Sequence, residues 1–281
     1  MKLELTGMKT IRSFFLILNW QTFVVTVLAV ASTYFSGYYE YTAEFPLTLI
    51  GIAIVFPIVF SINGAYKRRE VALDQYGVMK AHGRALYFAS RDWMEEQPDS
   101  QIKEIKRHLK SLLVACRELF HTKEPNETKE MVIYHRFSQL SIFINKFGEW
   151  GLPSGEVSRA NQYISKMMIA FETMKHIHQY RTPMTLRSYS KVFIYILPIL
   201  YGPYFAFTGA DYAAGLTYLM PILFSVILVS LNNIQTHLEN PFDQVGEDDV
   251  FINVEKLIDG LELKPVVNGG IPIKSGKVPQ I

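Results

Sequence analysis

Residues 47–70 read LTLIGIAIVFPIVFSINGAYKRRE, and this stretch decides the fold class. Nothing in it is charged until Lys67, after which Lys67, Arg68 and Arg69 arrive together. Ile52, Phe56 and Phe60 recur every four residues, so a helix places them on one stripe. Gly51 and Gly64 bracket that stripe, and Pro57 interrupts the helix between them. Such a helix is either a lipid-facing anchor or the wall of a pore, and periodicity alone does not choose between them.

Working outward, three more segments are long and apolar: residues 13–35, 192–207 and 212–231, beside 46–66. A spanning helix needs roughly 20 mostly apolar residues. The third segment is short by that rule and holds Pro198 and Pro203, so it is expected to be kinked or partly re-entrant. The apolar run after the basic N-terminus continues to Phe35. That is too long for a signal-peptide core, so it reads as a retained membrane helix.

Cations fix the orientation. Lys2, Lys9 and Arg12 precede the first helix, Lys67–Arg69 follow the second, and Arg181, Arg187 and Lys191 precede the third. The loops at residues 36–45 and 208–211 contain no Lys or Arg. The positive-inside rule therefore expects a multi-pass membrane protein with both termini and the middle of the chain in the cytoplasm. Tyr34, Tyr38, Tyr39 and Tyr41 then fall at the outer interface, where aromatic belts form. A bacterial inner membrane is the simplest location, with an organelle membrane as the alternative.

The middle of the chain reads as helical throughout. Ile102, Ile105, Leu109, Leu112, Leu113 and Cys116 follow a spacing of three and four. Residues 131–147 and 157–177 resume that pattern after a polar break at Pro125. Trp150-Gly151-Leu152-Pro153 marks a turn, with Ser154 as the expected helix cap. The expected organisation is residues 1–66 with the first two membrane helices, 67–190 as a cytosolic helical region, 191–236 with the last two membrane helices, 237–261 as an acidic stretch with a terminal helix, and 262–281 as a tail. The fold class is an all-α membrane protein.

Composition excludes several functions. A net charge of +2 and the lack of a basic, aromatic-interleaved stripe argue against nucleic-acid binding. The single cysteine, Cys116, permits neither an intrachain disulfide nor a thiolate metal site. No phosphate-cradling glycine loop, nucleophile elbow or zinc motif is present, so no enzyme is expected. His176 and His178 point to different faces of a helix rather than to one metal. The apolar spans carry no ionisable side chain that would mark a proton relay.

Two features remain for function. The stretch Asn240-Pro241-Phe242-Asp243, with Glu247, Asp248 and Asp249, gathers oxygen ligands in a short loop. Hard cations such as calcium favour such segments, and an acidic turn capping the next helix is the other reading. Secondly, four spans are few for a conduction path within one subunit. Any pore is expected on a symmetry axis between subunits.

With these residues in view, the chain resembles the bestrophin family, including its bacterial and plant-type members. One stretch is Phe60 to Gly77, with Asn63, Tyr66, Arg68, Ala72 and Gly77 matching the family's segment leaving the second membrane helix. The other is Glu239-Asn240-Pro241-Phe242 with the acidic residues after it. The order of elements agrees over about residues 10–258. The resemblance implies a homopentameric ion channel around a central pore, passing chloride or other small anions, with some relatives passing cations. It implies that Ile52, Phe56 and Phe60 face the axis as a neck, and that Thr182, just before Pro183, lines a cytosolic aperture. In the family's animal members the acidic signature joins a calcium clasp, for which the candidate ligands here are Asn240, Asp243, Glu247, Asp248 and Asp249. The sequence departs from the family where Arg69-Glu70 replaces a tryptophan pair, where Thr182 replaces an aliphatic residue, and where Asp243–Gly246 offsets the acidic signature. The reading that competes with a channel is a membrane-anchored interaction protein that conducts nothing.

Overall fold

The computed structural model describes residues 18–44, 47–94, 99–122, 124–180, 184–210, 216–244 and 249–262. Among these, all regular structure is helical: α1 (Trp20–Tyr38), α2 (Leu47–Asp92), α3 (Asp99–Phe120), α4 (Glu127–Glu149), α5 (Ser154–Gln179), α6 (Met184–Leu200), α7 (Gly202–Gly209), a short 3-10 turn at Leu216–Tyr218, α8 (Leu219–Glu239) and α9 (Val254–Asp259). The chain divides into two compact units, one of Met1–Asp74 with Thr173–Phe251 and the other of Gln75–Glu172 with Ile252–Ile281.

Helix α2 runs on where the sequence leads one to expect two breaks. The second apolar segment and the start of the cytosolic helical region form one helix of 46 residues. Pro57, expected to interrupt the helix, lies inside it. A proline forfeits one backbone hydrogen bond, and α2 nonetheless runs on past it to Asp92. At 1.5 Å per residue it is about 69 Å long, more than twice the roughly 30 Å hydrocarbon core of a bilayer. The Lys67–Arg69 trio therefore sits mid-helix and does not end it.

In the first unit, α1, α2, α6, α7 and α8 share a core of Val25, Ile54, Ile58, Ile194, Leu197, Tyr201, Phe205, Leu228 and Val229. The third apolar segment is broken as its prolines foretell. Helix α6 ends at Leu200 and α7 begins at Gly202, with Pro203 in its first turn, a position where the missing N–H costs nothing. The apolar stretches Ile50–Asp92, Arg187–Gly209 and Leu216–Glu239 are long and apolar enough to cross a membrane. The first expected span is described from residue 18 onward and is helical from Trp20, where Asn19 caps it by accepting from Thr22 N at 3.1 Å.

Interhelical polar contacts supplement packing here. Ser32 Oγ donates to Ile199 O at 2.7 Å, Ser225 Oγ donates to Thr26 Oγ1 at 2.9 Å, and Tyr195 OH donates to Gln21 Oε1 at 2.7 Å. Lipid is as apolar as leucine, so close packing and such bonds, at about 0.6 kcal/mol each, hold membrane helices together.

The second unit has a conventional apolar core. The stripe expected on α3 is buried from Ile105 through Leu109, Leu112, Leu113 and Cys116, and it meets Ile133, Phe137, Leu140, Phe143 and Ile144 of α4. Burying each such side chain is worth about 1.5–3 kcal/mol in water. Cys116 is fully enclosed and burial pushes its thiol upward, so it packs rather than reacts. Asn126 caps α4 through Lys129 N at 3.0 Å. Ser154 is the first residue of α5 rather than its cap, because the Glu156 amide already bonds Pro153 O at 2.9 Å.

Candidate ion pathway

The first half of α2 carries two opposed faces. Ile54, Ile58, Ser61 and Ala65 follow a spacing of four, three and four and are buried in the first unit. Ile52, Phe56 and Phe60 point the other way, 47%, 56% and 65% exposed, while Ile58 is fully enclosed. The Phe56 and Phe60 ring centroids lie 6.1 Å apart. The three residues singled out by periodicity thus form one continuous apolar stripe that the subunit itself leaves uncovered. Val55 and Val59 widen it on one side. Unlike the stripe, Ile54 and Ile58 are held on the inner face by α6 and α8, whose Ile194, Leu197, Leu228 and Val229 share their core.

Beyond the stripe, the two stretches that carry the family resemblance come together at their charged residues. Glu239, the last residue of α8, is buried, and its Oε2 lies 3.1 Å from Arg187 Nη1 of α6. The half-buried Arg68 guanidinium also lies in the field of the Glu239 carboxylate. The buried carboxylate thus meets Arg187 at contact distance and Arg68 through its field. Sequence reasoning used Arg187 only as an orientation charge and Glu239 only as part of a motif. A signal was present: Asn232, Gln235 and Glu239 recur at helical spacing in the last two turns of α8, and all three are buried.

The other expected site residues fare differently. Thr182 lies outside the described residues, as do Glu247 and Asp248. Asn240 is buried and its Oδ1 accepts from Phe242 N at 3.3 Å. The Val250 amide donates to Pro241 O at 2.7 Å, so the loop closes on itself, and Gln244 takes a φ of 61°. Asp243 and Asp249 flank that closure, both half-buried. Among the described residues, no three His, Cys, Asp or Glu side chains gather as a metal site. His176 is exposed and His178 buried, on different faces as expected.

Solved structures resemble this chain closely in fold. Three variants of a bacterial bestrophin homologue from Klebsiella pneumoniae match over 86–87% of this chain and 96–98% of theirs, with TM-scores of 0.70, 0.71 and 0.72 at 16–17% identity. No family model matches the sequence, and no curated protein does. The chain therefore has the bestrophin fold, as the two motifs and the order of elements led one to expect.

Proposed function

We propose that the chain is one subunit of a homopentameric, bestrophin-like ion channel whose pore lies on the symmetry axis. The observation that carries this reading is the uncovered stripe of Ile52, Phe56 and Phe60 on a helix whose opposite face is locked into the subunit core. Repeated around an axis, the stripe makes three stacked apolar rings. Such a constriction excludes water when narrow and conducts when wide. Phenylalanine ring edges carry partial positive charge, so edges turned inward favour chloride and other weakly hydrated anions over cations.

In this reading both termini and the second unit are cytoplasmic, following the loop charges. The outer ends of the apolar helices meet membrane lipid. By the family resemblance Thr182 belongs to the cytosolic aperture, where a hydroxyl would hold water that an aliphatic side chain excludes.

The experiment is recording from purified protein in planar bilayers under asymmetric salt. A reversal potential of the sign set by the chloride gradient is expected, and a cation-directed potential would overturn the selectivity. Replacing Ile52, Phe56 and Phe60 together by alanine is expected to raise open probability, and unchanged gating would remove the stripe from the pore. Thr182→Val is expected to alter anion permeability ratios with gating unchanged. A monomer in mild detergent without chloride flux would favour a non-conducting interaction protein instead.

A further inference from the structure

The second unit holds a cavity of about 570 Å³ between α3 and α4. Two helical stripes build it. Glu104, Arg107, His108 and Ser111 line it from α3, and Arg136, Gln139, Phe143 and Lys146 line it from α4. Both sets follow steps of three and four, so each presents one face of its helix to the cavity.

The charge in this cavity is unbalanced. Arg107, Arg136 and Lys146 meet a single carboxylate, Glu104, which lies 3.2 Å from Arg107. Arg136 Nη1 donates to the neutral Gln139 Oε1 at 3.0 Å. Lys146 has no ion-pair partner among the described residues. Like charges gathered around a concavity repel one another, and a guanidinium hydrogen-bonded to an amide keeps its full charge. A bound anion would relieve both.

The wall is not uniformly polar. Phe143 is buried with its ring 5.2 Å from that of His108, and Ile142 is exposed. The volume falls within the roughly 300–1,000 Å³ of small-molecule sites and exceeds what orthophosphate alone would fill. Residues 263–281 contain three lysines and no acid, so the chain's own tail has the wrong charge for this cavity.

We propose that this cavity binds a soluble phosphorylated metabolite with two or more negative charges. Its phosphates sit among Arg107, Arg136 and Lys146, and its organic part lies on Ile142 and Phe143. Guanidiniums match phosphate oxygens two at a time, which favours phosphate over a single carboxylate. The inference is independent of the channel reading, because the cavity lies wholly within the second unit.

The test is calorimetric titration of the full-length protein in detergent with inorganic pyrophosphate at constant ionic strength. Saturable binding is expected, weakened by at least about tenfold in Arg136→Gln with Lys146→Gln. Ser111→Asp, which adds a negative charge at the cavity wall, is expected to weaken it as well and serves if the double variant fails to fold. The neck variant with three alanines is expected to bind normally, which separates this site from anions in the pore. Absence of saturable binding at millimolar pyrophosphate overturns the proposal, as does equal affinity in the folded double variant. Citrate binding more tightly than pyrophosphate would overturn the assignment to phosphate.

Discussion

Arg187 Nη1 sits 3.1 Å from Glu239 Oε2 and ties the first turn of α6 to the last residue of α8. The partners are unequally sheltered, with the Glu239 side chain 5% exposed and that of Arg187 30% exposed. Glu239 is also the shared centre, since Arg68 lies in its field. Removing the carboxylate leaves two cations without it, whereas removing Arg187 leaves the carboxylate with Arg68. Glu239→Ala is therefore expected to destabilise the protein by about 3–5 kcal/mol, the usual cost of breaking a buried pair. Arg187→Ala should cost clearly less. Thermal unfolding in detergent ranks them, and equal losses would show that Arg68 does not share the carboxylate.

On the channel reading, the two faces of α2 separate stability from conduction. Ile58 is fully enclosed in the first unit, so Ile58→Ala leaves a cavity and is expected to cost about 2–5 kcal/mol. Phe56 and Phe60 are largely uncovered in the subunit. Phe60→Ala should scarcely change the unfolding of the separated subunit while changing open probability in bilayers. A stability loss at Phe60 as large as that at Ile58 would mean that the stripe is packed rather than open.

This contrast shows what the sequence makes legible. Ile52, Phe56 and Phe60 stand out because a period of four on an uncharged helix is a local property. Which side of that helix the subunit covers is not local, since it depends on α6 and α8, more than 120 positions away in the chain. Likewise, Pro198 and Pro203 announce the break between α6 and α7 through backbone chemistry alone. The continuity of α2 past Lys67 is less visible, because cations that end a span in the membrane do not end a helix. The Arg68, Arg187 and Glu239 cluster joins three segments, and no window on the sequence contains it. The cavity between α3 and α4 is hidden for a related reason, since each of its two stripes reads alone as a solvated helix face.

Gly202 is required where α7 crosses α1. A Cβ at that position would come within 2.8 Å of the Ser32 carbonyl carbon, which is backbone and has little room to move. Gly202→Ala is expected to destabilise by about 1–3 kcal/mol through overpacking and to disturb the hydrogen bond from Ser32 to Ile199 O. Gly51 and Gly64 have open space around the same position, so Gly64→Ala is the matched control. Comparable unfolding of the two variants would remove the close approach as the cause.

On the channel reading, we propose that opening does not require calcium. Asn240 Oδ1 is committed to the Phe242 amide, and the Pro241 carbonyl to the Val250 amide. Those bonds close the turn from within. Open probability is therefore expected to be the same in excess chelator and in millimolar calcium. Asn240→Ala should instead lower stability by about 1 kcal/mol, the value of a lost hydrogen bond. A calcium-dependent current that disappears in Asp243→Ala would restore the acidic loop as a cation site.

The second unit carries a pH dependence of definite sign. Burial lowers the His108 pKa below the ordinary 6.5, the neighbouring Glu104 opposes that shift, and Arg107 and Arg136 reinforce it. Lys146 lines the same cavity from α4. A base whose folded pKa is depressed takes up its proton more readily when unfolded. Its stabilising contribution is therefore complete above 6.5 and is lost as the pH falls through 6.5 toward the folded value. Glu255, held below its ordinary 4.5 by its own backbone amide and by Arg117, loses its contribution in the same direction but at lower pH. Unfolding temperature is expected to decline from pH 7 to pH 5.5 in the parent and to stay flatter in His108→Gln, while both fall alike in the range of Glu255. A decline between pH 7 and 5.5 of the same size in both proteins would assign it to groups other than His108.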